Sequence, residues 1–177
     1  MNITLFGIKG CGKTTFGKMI AQKLKRTFID TDHLIEEMYQ HSYHKKLSCR
    51  EIHEIVGEEG FRALEYDVIQ SLQDVQHSVI AVGGGAMLVY ENIEALKKNS
   101  HLVYLFFEKL PLKNRVLSMD PLPAFLNPND PDTSFEHIYD ERDSFYRNLN
   151  TPLLDITHMK DQDVVTHLCN FLEKDAK

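Results

Sequence analysis

Gly7-Ile8-Lys9-Gly10-Cys11-Gly12-Lys13-Thr14 matches G-x-x-x-x-G-K-[ST] at every fixed position and follows directly on the β-rich run Asn2 to Phe6. Glycines at these spacings let the backbone close around an anion. Successive N–H groups then face phosphate oxygens, and Lys13 adds a positive charge. Downstream, Phe16, Met19, Ile20 and Leu24 recur at helical spacing on one face. Strand, glycine loop and helix in that order form a phosphate site to which the helix N-terminus adds its dipole and unpaired N–H groups. The stretch predicts nucleotide binding through Gly10, Cys11, Gly12, Lys13, Thr14 and Thr15.

Working outward, apolar runs suited to buried strands occur at Thr4 to Phe6, Thr27 to Ile29, Val79 to Val82, Leu102 to Phe107 and Leu153 to Ile156, with helical patterns between them. This alternation implies an α/β fold with a parallel sheet, right-handed crossovers and helices on both faces. Ligands in such folds sit at the C-terminal ends of the strands. A chain of 177 residues that is 42% hydrophobic suits one domain with a substantial core. Arg50 to Leu72 reads as two helices broken near Gly57 and Gly60, and Asp120 to Thr133, with four prolines, reads as a lid or long functional loop.

A net charge of −6 gives no general attraction for nucleic acid or anionic membranes. The longest apolar runs fall far short of the roughly 20 residues that span a bilayer. The N-terminus has no signal-like pattern, and cleavage there would remove the first strand and the glycine loop, so the expected location is the cytoplasm. Cys11, Cys49 and Cys169 form no C-x-x-C pair, which suits a reducing compartment. Nine histidines, among them His41, His44 and His53, match no zinc-site spacing and read as surface residues.

Three further groups carry chemistry. The second strand ends in Asp30-Thr31-Asp32, where Asp32 reads either as a helix N-cap or as a carboxylate that holds magnesium through water or orients an attacking hydroxyl. The third strand ends in Gly83-Gly84-Gly85, read as a permissive loop or as a surface that something approaches closely. Arg62 and Arg142 alone read as surface arginines. Together with the polyglycine backbone they form a bidentate grip for a small carboxylate-bearing polyol.

The phosphate loop (Gly7 to Thr15), D-x-D (Asp30 to Asp32), G-E-x-G-F-R (Gly57 to Arg62), G-G-G-A (Gly83 to Ala86) and E-R-x-x-x-Y (Glu141 to Tyr146) occur in the order seen in shikimate kinases, a family the whole chain resembles. The resemblance implies a P-loop fold of nucleoside-monophosphate-kinase type with a five-stranded parallel sheet, and ATP-dependent phosphorylation of the shikimate 3-hydroxyl on the route to chorismate. It further implies a single domain over 1–177, a substrate-binding helical segment over 34–72, a lid over 119–134, and a monomer with no nucleic-acid or membrane partner. By the same resemblance Lys13 and Asp32 are catalytic, with Asp32 the base that also binds substrate. Thr14, and Asp30 through water, hold Mg2+. Arg62, Arg142 and Gly83, Gly84 and Gly85 bind shikimate. Arg115 lies on adenine, with the loop near Thr157 to Asp161 on the base's other side.

One departure stands out: the family's lid arginine before Pro-Leu is Asp120 here, and no Lys or Arg occurs between Arg115 and Arg142. An aspartate there would repel phosphates, and Arg115, Lys9 and Arg147 are the candidates to compensate from outside the lid. Cys11, among N–H groups at a helix N-terminus, reads as a space-filling residue or as an activated thiol whose alkylation inhibits and which ATP protects. Two other functions compete with shikimate phosphorylation. One is a kinase for another small substrate such as gluconate or a nucleotide; the other is a non-catalytic nucleotide- or shikimate-binding module, supported only by Asp120.

Overall fold

The first apolar run becomes the centre of the sheet. Strand β1 (Asn2–Phe6) is buried along its whole length, pairing in parallel with β3 (Ser78–Ala81) on one side and β4 (Ser100–Phe106) on the other. With β2 (Thr27–Asp30) beside β3 and β5 (Leu153–Asp155) beside β4, the five-stranded order is β2-β3-β1-β4-β5. A strand with helices over both faces has no solvated side, which is why β1 reads as a run rather than an alternation. The structure, a computed structural model, describes residues 1–174, so the last three of the expected 1–177 domain lie outside the described residues.

Seven α-helices connect and cover these strands among the described residues: α1 (Lys13–Leu24), α2 (Thr31–Tyr43), α3 (Cys49–Ser71), α4 (Tyr90–Lys97), α5 (Lys109–Leu117), α6 (Pro131–Arg147) and α7 (Asp161–Lys174). None is long and apolar enough to cross a membrane. The main core centres on Ile3, Leu5, Ile80 and Leu105, all fully buried. A second, smaller cluster of Ile35, Tyr39, Ile52, Phe61 and Val68 ties α2 to α3, so the helical segment 34–72 has a core of its own.

Where the strands and sequence runs differ, polar residues explain it. β1 and β4 start two residues earlier than the apolar runs because Asn2 is satisfied inside the protein: its Nδ2 donates to Val75 O at 2.7 Å and its Oδ1 accepts from Ser78 N at 2.9 Å. A buried polar group with partners carries little penalty.

Three local features position the site. The capping carboxylate of α2 is Asp30, whose Oδ1 accepts from Asp32 N at 3.1 Å. The capping reading of Asp32 is therefore corrected, and its carboxylate remains for other work. In α3 the helix bends at Gly57, where φ is 71° and ψ 179°; an L-residue resists that conformation. The bend separates the two expected halves of α3 within one continuous run, and Glu58, Phe61 and Arg62 just beyond it line the cavity described below. Finally, α6 starts at Pro131 with Asp130 as its N-cap, accepting from Thr133 N at 3.2 Å. Proline at the first helical position lacks only an N–H that the helix would leave unpaired. Residues 131–134 of the expected lid are thus the first turn of a helix, and the irregular loop ends at Asp130.

Candidate active site

Because the sheet is parallel, the C-terminal ends of β1, β2 and β3 meet along one edge, and a cavity of about 700 Å³ opens there. This volume lies in the range of small-molecule sites. One wall is the glycine loop. Helix α1 begins at Gly12 with no side chain capping it, so its first N–H groups face the cavity as an anion site. Gly10, Gly12, Lys13, Thr14 and Thr15 line this wall. The Lys13 ammonium lies along the loop, donating to Gly7 O at 2.9 Å and Ile8 O at 3.3 Å. Thr14 Oγ1 donates to Asp30 Oδ2 at 2.8 Å. A hydroxyl and a carboxylate brought together beside a phosphate cradle are hard oxygen donors, the kind magnesium takes when phosphates and water complete its shell.

One nucleotide-side expectation comes out differently. Cys11 is fully buried and does not line the cavity; a Cβ on Gly7 would sit 3.0 Å from its Sγ. A thiol sealed in the core is out of reach of alkylating agents, which overturns the activated-thiol reading and leaves Cys11 a space-filling residue that contributes only its backbone to the loop. Arg115 stands outside the cavity wall, its guanidinium 4.6 Å from the Phe107 ring centre and its Nη1 donating to Gly10 O at 3.0 Å. It braces the phosphate loop from α5, with its guanidinium set over the Phe107 ring. Nearby, Glu108 N donates to Thr157 Oγ1 at 2.9 Å, which joins the loop after β4 to the one after β5.

The opposite wall is a network of charges. Asp32 is half-buried, and burial first, then the neighbouring Asp30 carboxylate, raise its pKa above the ordinary value, while Lys13 and Lys9 pull it down. Glu65 is buried at 2% exposure and raised for the same first reason. Gly83 separates the two: a Cβ there would meet Asp32 Oδ1 at 2.7 Å and Glu65 Oε1 at 2.8 Å. Arg62 donates through Nε to Glu58 Oε1 at 2.8 Å and through Nη1 to Glu65. Burial opposes the guanidinium charge, but Glu65 and Glu58 more than offset it and raise its pKa. A Cβ on Gly85 would collide with that guanidinium. The three glycines are therefore a close-approach surface rather than a permissive loop.

Arg142, buried at 8% exposure, reaches the same place from α6. Its guanidinium lies 5.0 Å from the Phe125 ring centre, and its Nη1 would be 3.3 Å from a Cβ on Gly84. Tyr146, one turn on, donates its hydroxyl to Gly84 O and packs edge-on against Phe6 and Tyr104, with ring centres 5.3 and 5.2 Å away. Such aromatic pairs contribute roughly 0.5–1.5 kcal/mol each beyond area burial. They hold α6, and with it Arg142, against the sheet.

Several residues of the cavity wall escape the sequence reading. His53, expected on the surface, lines the cavity and sits 2.7 Å from Glu58 Oε2, a contact that holds Glu58 below the usual carboxylate range. Glu58 and Glu65 lie four residues before and three after Arg62, the helical spacing that marks side-chain neighbours, and that spacing was the available signal. Arg50 and Phe125 carry none. Asp120, by contrast, is exposed and forms no part of the cavity wall among the described residues, although Met119 and Pro121 do. Of the candidate compensating cations, Lys9 lines the cavity. Arg147 is engaged elsewhere, paired with Asp143 at 2.9 Å and set over Phe106.

The family model for shikimate kinase matches residues 9–173. The shikimate kinase of Dechloromonas aromatica is 35% identical over 94% of this chain and 87% of its own length, and that of Burkholderia lata is 39% identical over 82% and 76%. Among solved structures, a shikimate kinase from Acinetobacter baumannii in complex with shikimate superposes with a TM-score of 0.87 at 29% identity, covering 98% of this chain and 93% of that one. A gluconokinase from Sinorhizobium meliloti, at 16% identity and a TM-score of 0.57, shares the fold alone. With its matched length, its P-loop and its opposed arginines, the chain belongs to the shikimate kinase family.

Proposed function

We propose that this chain transfers the γ-phosphoryl group of ATP to the 3-hydroxyl of shikimate. The observation that carries this reading is the half-buried Asp32 carboxylate, set between the phosphate loop and the paired arginines of a single cavity. Arg62 and Arg142 hold the shikimate carboxylate, and the Gly83 to Gly85 backbone lies against the ring. Asp32 orients the 3-hydroxyl, and its raised pKa makes it a better proton acceptor than a solvated aspartate. The hydroxyl oxygen forms a bond to the γ-phosphorus as the bond from phosphorus to the β,γ-bridging oxygen breaks. The electron pair leaves with ADP, and the hydroxyl proton passes to Asp32.

Gly10, Gly12, Lys13, Thr14 and Thr15 hold the triphosphate, Lys13 as a point charge and the others through N–H groups, and Arg115 stacks on adenine. Thr14, and Asp30 through water, are the groups that would hold magnesium, which neutralises charge on the β- and γ-phosphates. The loop over 119–130 serves as the lid and excludes water. Every side chain required comes from one chain, which supports action as a monomer. Dependence on ATP and three free cysteines support a cytoplasmic setting.

The non-catalytic alternative rested on Asp120 standing where the family's lid carries an arginine; against it, Lys13, Thr14, Asp30 and Asp32 are all retained and line one cavity. Gluconate also carries a carboxylate, so an acceptor panel decides: ADP release from magnesium-ATP with shikimate, gluconate, nucleoside monophosphates or no acceptor. Shikimate-dependent turnover with shikimate 3-phosphate as product is expected. Turnover with gluconate alone, or none despite ATP binding, would reject the assignment.

A further inference from the structure

The lid loop contains no cation, yet a cation holds it. Arg50, in the first turn of α3 on the substrate wall, donates from Nη1 to Leu122 O at 2.6 Å, across 72 positions of sequence. Its Nε is fixed by Glu54 Oε1 at 3.0 Å, one helical turn on. The same helix start is locked by a capping box in which Ser48 and Glu51 satisfy each other, so the guanidinium springs from a rigid point. Arg50 and Leu122 both line the cavity. A second contact, Phe125 over Arg142, and the burial of Leu126 at 5% exposure fasten the far end of the loop.

Resting on the kinase reading above, we propose that Arg50 is a positioning residue that latches the lid to the substrate wall, so that the lid is held by a cation from α3 rather than carrying one. The bond is charge-assisted and therefore stronger than an amide–carbonyl bond. It is also one-sided: the acceptor is a backbone carbonyl, which imposes no requirement on the side chain at 122. Such a latch closes the acceptor side of the cavity. Its loss leaves ATP bound but lets shikimate escape and water reach the γ-phosphate.

The test compares wild type with Arg50→Ala and Arg50→Lys. Arg50→Ala should raise the shikimate KM about tenfold, as expected for one charge-assisted bond, and leave the ATP KM within about twofold. ADP should form in excess of shikimate 3-phosphate, and Arg50→Lys should recover most of the coupling. Independently of any turnover, amide hydrogen exchange over residues 119–126 should quicken about tenfold in Arg50→Ala. That readout decides the latch even if shikimate were not the acceptor, whereas failure of wild type to turn over shikimate would strike only the kinase reading. Unchanged lid exchange in Arg50→Ala would overturn the latch. So would a fall in kcat with shikimate KM and product stoichiometry unchanged. If Arg50→Ala folds poorly, Arg50→Met, which keeps an unbranched apolar stem but has no donor, gives the same readouts.

Discussion

The two walls of the cavity are built in different ways. On the phosphate side, one short stretch from Gly7 to Thr15 supplies the glycines, the lysine and the hydroxyl, and its main donors are backbone N–H groups at the start of α1. On the acceptor side, Asp32, Arg62, Gly83 and Arg142 come from four separated segments, and their charges are held by other side chains: Glu58 and Glu65 on Arg62, Tyr146 behind Gly84, Phe125 beneath Arg142. A wall made of backbone depends little on distant packing. A wall made of ion pairs depends on every partner, because a buried charge that loses its partner keeps its desolvation cost.

The largest expected effect comes from the lysine of the backbone wall. Lys13→Met should lower kcat about 10³-fold or more while leaving the melting temperature close to wild type, since among the described residues the ammonium hydrogen-bonds to two loop carbonyls. A melting temperature that collapsed with activity would show that the two walls are not separable in this way. Next comes Asp32→Asn, expected to lower kcat about 10²- to 10⁴-fold and to raise stability at neutral pH. The sign follows from the raised pKa: the folded state holds the Asp32 proton more tightly than the unfolded chain does. The ionised carboxylate therefore weakens the fold above its ordinary value of 3.8, and the weakening is relieved as pH falls through the folded value. Thermal melts of the two proteins from pH 4 to 8 should diverge as pH rises, and curves that stay parallel would refute this account of Asp32.

On the acceptor side, Arg62→Met should both raise the shikimate KM and cost about 1–3 kcal/mol of stability, because Glu65 loses its partner at a buried position. The double variant Arg62→Met/Glu65→Met should recover stability without recovering substrate affinity. Recovery of both would mean that Arg62 serves the fold and not the substrate. The smallest effect is expected at Asp120: its carboxylate is exposed and off the cavity wall, so Asp120→Arg should change kcat less than about threefold, within the range of surface charge changes. A tenfold faster enzyme would show instead that the lid lacks a catalytic cation.

The same contrast governs what could be read from the sequence. The phosphate loop, the Asp30/Asp32 pair and the triple glycine were legible because each encodes its chemistry within a few consecutive residues. The strands were legible as apolar runs, with boundaries off by one or two residues, most at Asn2 and Ser100, where polar residues extend β1 and β4. Which aspartate caps α2 depended on the turn geometry after β2. The burial of Cys11 depended on which way one loop side chain points, and neither is a property of composition or spacing. His53 and Arg50 become parts of the site only through the bend at Gly57 and the return of the chain at Leu122, contacts that no local pattern announces.

The division of labour between the walls is tested most directly by calorimetric titration of shikimate, without nucleotide, into wild type, Lys13→Met and Arg62→Met. The account predicts that Lys13→Met binds shikimate within about threefold of wild type while Arg62→Met loses about tenfold or more, as for a bidentate carboxylate contact. Equal losses in the two variants, or undiminished binding in Arg62→Met, would contradict it.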